Sequence, residues 1–266
     1  MRHLPQEKPE ASQDPGTVVL PELPETEIAS GVSGERRVSM TERIIAIGDI
    51  HGCANALKTL IDAIQPTELD TLVFLGDYID RGPDSKGVLD QIITLGQRCT
   101  VVPLMGNHEE MLLAVLDGGQ SEIKFWLTFG GSAALASYGW KGGPDVRPED
   151  VRRQIPREHV DFIKGCRDYF ETARHFFAHA YYDPHLPLHE QKWNGLRWAS
   201  LPPVPERHCS GKVAIVGHTP QRSGDILDLG YFKCIDTLAH GGGWLTALEV
   251  EPGRRVWQAN EKGEMR

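Results

Sequence analysis

Residues 43–52 read RIIAIGDIHG, a short apolar run that ends in a glycine and an acid. The same design returns as LVFLGDYIDRG at residues 72–82 and as VVPLMGNHE at residues 101–109. Each run has the length and composition of a buried strand, and apolar residues recur at helical spacing after each of them. This alternation predicts an α/β fold, with strands at Arg43–Ile47, Leu72–Leu75 and Val101–Leu104.

Polar residues follow these strands directly. Because open α/β sheets bind ligands at the carboxyl ends of their strands, we expect the polar side chains to form one site. Further strands are predicted at 176–178, 213–216, 233–235 and 245–250, and histidines follow the first two. The candidate site residues are Asp49, His51, Asp77, Asp80, Arg81, Asn107, His108, His179 and His218.

The donor types in this set point to a metal centre. Carboxylate, amide and imidazole groups without a thiolate suit Mn²⁺, Fe or Zn²⁺. One ion could not use them all, whereas two ions about 3.5–4 Å apart could if one carboxylate bridges them. Asp77 lies in the middle motif and is the predicted bridge. The alternative is that Asp49, Asp77 and Asn107 only cap the helices that follow.

Composition narrows the classes of partner and location. The 266 residues carry 28 Lys and Arg against 37 Asp and Glu, a net charge of −9, which argues against a nucleic-acid partner. No apolar run approaches the roughly 20 residues that cross a bilayer, and the first residues lack the apolar stretch of a secretory signal. Five cysteines without a C-x-x-C pair suit a reducing compartment. We therefore expect a cytoplasmic protein without a membrane partner.

Three segments are predicted along the chain. Residues 1–41 contain five prolines and no aromatic residue, which predicts a flexible N-terminal tail, or alternatively a docking segment. Residues 42–252 form the expected catalytic domain, with a helical and loop insertion at about 121–166 and a proline-rich segment at 187–211 that is mostly extended loop. Residues 253–266 are predicted to be a C-terminal extension.

The three motifs at 48–52, 76–82 and 106–109 resemble the signature of the phosphoprotein phosphatase family of metallophosphoesterases. Two later stretches, GHTP at 217–220 and IDT at 235–237, resemble motifs of its bacterial and phage-type Ser/Thr phosphatases. The likeness covers about residues 42–250. It implies the calcineurin-like fold, in which two mixed β-sheets pack face to face with helices outside.

The resemblance also implies roles for the candidate residues. Asp49 and His51 would bind a first divalent ion, and Asp77 would bridge it to a second. We expect both ions to be Mn²⁺. Asn107, His179 and His218 would complete the second site. A water activated between the ions would attack phosphorus directly, with no phosphoenzyme.

The remaining roles concern the substrate and the leaving group. His108 would act as general acid, with Asp80 holding its other ring nitrogen. Arg81 would pair with the phosphate oxygens, and Asn107 would also contact the substrate. Glu109 is interpreted as a first-turn acid that complements the helix dipole.

The chain departs from the family pattern at three places, and the first is Tyr181, where the family has glycine or aspartate after His-Ala. The family carries an arginine two residues after a tryptophan as a second phosphate clamp, whereas here Ser200 follows Trp198. Arg197 is the candidate replacement. The small residues expected after IDT are replaced by Leu238, Ala239 and His240; like His185, His189 and His208, His240 is interpreted as a loop residue.

The function implied is a phosphomonoester hydrolase, with Ser/Thr-phosphorylated proteins or small phosphoesters as substrates. The alternatives are a symmetrical diadenosine tetraphosphate hydrolase, from a sister branch, and a non-catalytic phosphate sensor. Asp80 and Glu109 favour the protein-phosphatase branch, because the sister branch tends to lose that aspartate and to end its third motif in aspartate. An intact His108 argues against a mere sensor.

Overall fold

The computed structural model describes residues 42–143, 145–253 and 255–266, so the predicted tail at 1–41 lies outside the described residues. The strands are β1 (Ile44–Ile47), β2 (Thr71–Phe74), β3 (Thr100–Pro103), β4 (Tyr169–Glu171), β5 (His175–Ala178), β6 (Val213–Val216), β7 (Leu227–Asp228), β8 (Phe232–Cys234), β9 (Leu245–Glu251) and β10 (Val256–Ala259). The helices are α1 (Ala54–Ile64), α2 (Ser85–Leu95), α3 (Asn107–Asp117), α4 (Gln120–Trp126), α5 (Ser132–Ser137), α6 (Pro148–Gln154), α7 (Arg157–Lys164) and α8 (Trp193–Trp198).

The strands form two five-stranded mixed sheets. The first has the order β10-β9-β1-β2-β3 and the second the order β4-β5-β6-β8-β7. In each sheet three strands run parallel, β1, β2 and β3 in one and β5, β6 and β8 in the other. In the first sheet β9 runs antiparallel between β1 and the edge strand β10, and in the second sheet the antiparallel strands β4 and β7 are the two edges. The predicted α/β fold with two mixed sheets and helices is confirmed.

The sheets pack face to face because alternate residues of each strand point to opposite sides. Ala46 of β1 and Phe177 of β5 share the apolar core between the sheets. Their neighbours Ile45 and Ile47 pack against α1, α2 and α3 on the outer side of the first sheet. Strands buried on both faces are near-continuously apolar, which is why the sequence shows short unbroken runs there.

Most predicted strands fall within one residue of the observed ones, but three strands were missed. Strands β4 and β7 have three and two residues, too short for a periodic signal. Strand β10 follows the predicted boundary at residue 252 and pairs with β9, so residues 256–259 are an edge of the first sheet. The proline-rich 187–211 stretch is not all extended, since it contains α8.

None of the helices in the described ranges is long and apolar enough to cross a membrane.

A partly buried ion pair connects the start of β1 to the start of β2. The Arg43 guanidinium donates to the Asp70 carboxylate from Nε at 2.8 Å and from Nη2 at 2.6 Å, and the Thr67 backbone N–H donates to it at 2.6 Å. Burial would raise the pKa of Asp70, but these donors hold it below the ordinary value.

Asp70→Asn is expected to lower the free energy of unfolding by about 1.5–3 kcal/mol at pH 7, the usual value for hydrogen bonds to a charged group. Because the pKa is lower in the folded state, this contribution is complete above about pH 4 and is lost as the pH falls through the folded pKa. Urea denaturation at pH 7 and pH 3 measures it: the difference in stability between the two proteins should be smaller at pH 3 than at pH 7. Equal midpoints at pH 7 would show that the pair is neutral to stability.

Candidate active site

Asp77 lies at the centre of the polar cluster. Its Oδ2 is 3.3 Å from Nε2 of His51, and its Oδ1 is 3.3 Å from Nε2 of His179. Two groups of possible metal-ligating atoms, each lying within 4.8 Å of one another, share this carboxylate: His51, Asp77 and His108, and Asp77, His179 and His218. In the structure, the predicted bridging residue Asp77 therefore lies between two sets of donors.

Asn107 closes the second group. Its Oδ1 is 3.1 Å from His179 Nε2 and 3.0 Å from His218 Nδ1, and these two ring nitrogens are 3.2 Å apart. Asn107 is the first residue of α3, which begins after Gly106, while α1 begins after Cys53. Asp84 caps α2. The residues at the N-cap positions are therefore Cys53, Asp84 and Gly106, and the capping alternative is wrong for Asp49, Asp77 and Asn107.

In His51, His179 and His218, the ring nitrogen that faces away from the cluster hydrogen-bonds a backbone group. Nδ1 of His179 lies 2.8 Å from the carbonyl of Leu75, and Nδ1 of His51 lies 3.0 Å from that of Ile79. His218 hydrogen-bonds the backbone of Trp198. Donation to a carbonyl leaves the other nitrogen as a lone pair facing the cluster. Lone pairs in contact with an amide oxygen repel, so the donor set fits divalent cations at this place.

Asp49 is buried at the rim of the cluster, outside both groups. Its carboxylate accepts the backbone N–H of His218 at 3.0 Å. Burial, and then the charges of Asp236 and Asp77, raise the pKa of Asp49 well above its ordinary value, while Arg81 lowers it. Buried carboxylates that repel one another favour a bound cation. Asp236 belongs to the IDT motif, and the sequence indicates no role for it.

Strained backbone positions several of these side chains. His51, Asp77, Asp80, Arg81 and His218 have φ between 45° and 70°, and they are five of the seven such non-glycine residues in the described ranges. This left-handed conformation costs free energy and clusters at functional sites. Gly76 precedes Asp77 at φ +100°, and a Cβ there would lie 2.7 Å from the Gly106 nitrogen.

Glu109 supports the site in a way that the sequence did not indicate. Its buried carboxylate accepts the backbone N–H groups of Asp77 and Tyr78 at 2.8 Å, Ile79 at 3.3 Å and Gly106 at 3.1 Å. It therefore fixes the turn that carries the central carboxylate. The acid at the end of the GNHE motif is the one feature of the sequence that points to this role. The interpretation of Glu109 as an acid that complements the helix dipole was incomplete.

His108 and Asp80 form a buried pair beside the cluster. His108 Nδ1 is 2.7 Å from Asp80 Oδ2, and the Trp126 indole N–H donates to the same carboxylate at 2.9 Å. His108 Nε2 is 4.0 Å from Asp77 and has no hydrogen-bond partner among the described residues. Burial lowers the pKa of His108, but the charges of Asp77 and Asp80 raise it above its ordinary value. The ring can therefore hold a proton beside the site.

The two candidate phosphate-binding arginines have different surroundings. Arg81 is exposed, and its Nη1 lies 3.2 Å from His51 Nε2. Arg197 lies on α8, with Nη2 at 2.6 Å from Asp168 and Nη1 at 3.1 Å from Glu110, and its guanidinium covers the ring of Trp193. An extended loop was predicted around Arg197, whereas the residue lies on a helix and is paired with two carboxylates.

His240, interpreted as a loop residue, lies beside His51. Their ring centroids are 4.6 Å apart with an interplanar angle of 82°. Burial, and then the positive charges of Arg81 and His108, lower the pKa of His240 to about 4. The sequence shows that small residues are replaced at 238–240, but it does not show that His240 lies close to His51.

Trp126→Phe tests how Asp80 is positioned, because it removes the N–H donor and keeps an aromatic ring. Without that donor the carboxylate of Asp80 is less stabilised and more basic, so it stabilises the protonated ring of His108 more strongly and the pKa of His108 rises. We expect kcat to fall about tenfold, as for one hydrogen bond to a charged group, and the alkaline limb of its pH profile to move to higher pH. A purely structural role would lower the melting temperature and leave the pH profile in place.

Comparison with known sequences places the chain in a family. Residues 42–222 match the calcineurin-like phosphoesterases, and this range contains all six candidate metal ligands. The symmetrical bis(5'-nucleosyl)-tetraphosphatase of Burkholderia pseudomallei is 43% identical over 74 residues, 28% of this chain and 26% of that protein. The protein of the same name from Acidovorax sp. is 46% identical over 77 residues, again 28% and 26%. The chain thus spans about a quarter of the length of these curated relatives.

Solved structures share the fold at low identity. A putative diadenosine tetraphosphatase aligns with a TM-score of 0.59 and 22% identity, covering 83% of this chain and 94% of that one. The cold-active protein-tyrosine phosphatase of a Shewanella species aligns with a TM-score of 0.59 and 19% identity, covering 84% and 79%. With the family match extending over more than half of its length, the chain belongs to the calcineurin-like phosphoesterases, a metallophosphoesterase family that uses divalent metal ions.

Proposed function

We propose that this phosphoesterase hydrolyses phosphate monoesters of alcohols, and that Ser/Thr-phosphorylated proteins are its main substrates. The observation that carries this proposal is the buried His108–Asp80 pair next to Asp77. An alkoxide leaving group is strongly basic and gains most from a positioned acid. A phosphate sensor needs no such acid.

The metal ligands are proposed on the geometry of the cluster. Asp49, His51 and Asp77 would hold one divalent ion, and Asp77, Asn107, His179 and His218 the other. Two such ions would supply a water activated for attack and would offset the charge of the phosphate. We propose Mn²⁺ as the ion, with Fe and Zn²⁺ as alternatives that suit the same donors.

The chain's own groups carry the other steps. Arg81, exposed beside His51, would bind phosphate oxygens with its guanidinium. His108 would give the proton on Nε2 to the leaving oxygen while Asp80 keeps the Nδ1 proton in place. The Trp126 indole would hold Asp80 through this transfer, because it donates to the same carboxylate.

Symmetrical hydrolysis of diadenosine tetraphosphate is the second candidate. It is favoured by the names of the curated relatives, which share a quarter of their length with this chain. A nucleoside diphosphate leaving group is a weak base that needs little protonation, so the His108–Asp80 pair would contribute little to that reaction.

A substrate panel separates the candidates. The protein is stripped of metal, reloaded with Mn²⁺ or Zn²⁺, and assayed on phosphoserine, phosphothreonine and phosphotyrosine peptides and on diadenosine tetraphosphate. We expect the highest kcat/KM on phosphoserine or phosphothreonine peptides. A preference for diadenosine tetraphosphate would establish the second candidate, and two bound metals without turnover of any ester would establish a sensor.

A further inference from the structure

Three imidazoles stand in a row at the edge of the candidate metal centre. His51 is in the middle, with ring centroids 4.6 Å from His108 on one side and 4.6 Å from His240 on the other. Both outer rings meet His51 edge to face, at 79° and 82°. His240 thus stands beside a candidate metal ligand, as the proposed acid does.

The outer rings share a second property. Nε2 of His108 and Nδ1 of His240 are both buried, and neither has a hydrogen-bond partner among the described residues. A buried polar atom without a partner costs free energy, and in native structures it calls for a specific reason, such as an absent ligand. In the proposed function, the leaving oxygen of the substrate is the partner of His108 Nε2. Another oxygen of the substrate would in the same way be the partner of His240 Nδ1.

Hydrogen bonds of its backbone hold the loop before His240 in one conformation. Leu238 adopts a left-handed conformation at φ 63°, and its backbone N–H donates to the Asp236 carboxylate at 3.0 Å. Its carbonyl accepts from the N–H groups of Gly241 and Gly243, both at 3.0 Å. A β-branched or bulky residue is strained in this conformation, and such strain persists only where the surroundings impose it. The loop therefore presents His240 in a defined position, as a binding residue requires.

Arg197 is poorly placed to serve as the second phosphate ligand. Its guanidinium is engaged with Asp168 and Glu110, and it would have to leave both carboxylates to bind a substrate. Within the part of the chain that the structure describes, Nδ1 of His240 has no such competing partner.

We propose that His240 donates a hydrogen bond from Nδ1 to an oxygen of the substrate phosphate, as a second phosphate ligand beside Arg81. This rests on the proposed phosphoester hydrolysis. An imidazole N–H is a single neutral donor, so the contribution is to binding of the phosphate group and not to proton transfer.

The test uses the metal-loaded full chain and inorganic phosphate as the probe. Isothermal titration calorimetry should show the Kd of phosphate about tenfold higher in His240→Ala, and the KM for p-nitrophenyl phosphate should rise equally with kcat within about twofold. His240→Gln keeps an N–H donor and should recover most of the affinity. His189→Ala, which removes an exposed histidine, is the matched control and should match the wild type. Bound metal, measured by elemental analysis, should stay at the wild-type level.

Three results would overturn the proposal. An unchanged phosphate Kd in His240→Ala would remove its basis, and loss of metal from both His240 variants would show that the residue only supports His51. Weaker phosphate binding in Arg197→Ala but not in His240→Ala would assign the second clamp to Arg197. If the wild type turned over no ester, the proposed function would fail, whereas phosphate calorimetry would still decide the role of His240.

Discussion

Asp77→Asn is expected to remove both metal ions and to lower kcat by more than about 100-fold. Asp77 offers one oxygen to each group of donors, at 3.3 Å from His51 and 3.3 Å from His179. An amide has no charge and a single acceptor oxygen, so neither group would keep its full donor set. Residues behind metal ligands already account for about 10–100-fold in affinity or activity, and a shared ligand should account for more. Elemental analysis after gel filtration measures the metal, and initial rates measure the turnover.

Asp84→Asn is the matched control for this variant. It makes the same chemical change at the N-terminus of α2, where asparagine also caps well and no candidate ligand is involved. It should retain both metals and the wild-type rate. Two tightly retained ions and near-normal turnover in Asp77→Asn would refute the bridging role.

His108→Asn is expected to keep the metal content and to lower kcat by roughly 10²–10⁴-fold on a phosphoserine peptide, the usual contribution of a positioned acid. The open Nε2 of His108 is 4.0 Å from Asp77, and its Nδ1 is engaged with Asp80. Its place in one group of possible ligands leaves metal binding as the competing role. Metal loss in the variant would favour that competing role.

The leaving group provides the sharper comparison. p-Nitrophenolate departs with little protonation, so the defect of His108→Asn should shrink greatly on p-nitrophenyl phosphate. Asp80→Asn should show the same dependence with a smaller defect, because it leaves the acid in place and removes its orienting partner. Equal defects on the peptide and on p-nitrophenyl phosphate would contradict acid catalysis by His108.

Some structural detail could be predicted because its signal is local. The run Ile44–Ile47 and its following glycine and acid are contiguous, and the residues at strand ends converge because parallel strands share a carboxyl edge. Strand β10 could not be predicted in this way. It is an edge strand of four residues after a turn, and only its pairing with β9 defines it.

The sequence by itself determined the α/β order, the family motifs and the set of donors that meet around Asp77. Only the tertiary structure decided that Glu109 holds the Asp77 turn, that Trp126 donates to Asp80, that Arg197 is paired with two carboxylates, and that His240 stands against His51. The physical reason is the distance along the chain. Motif residues are ordered by one strand and its turn, whereas these contacts join residues that are separate in sequence and meet only when helices and loops pack over the sheet edge. Local patterns therefore predict which groups are present, and packing decides which of them are free to bind a substrate.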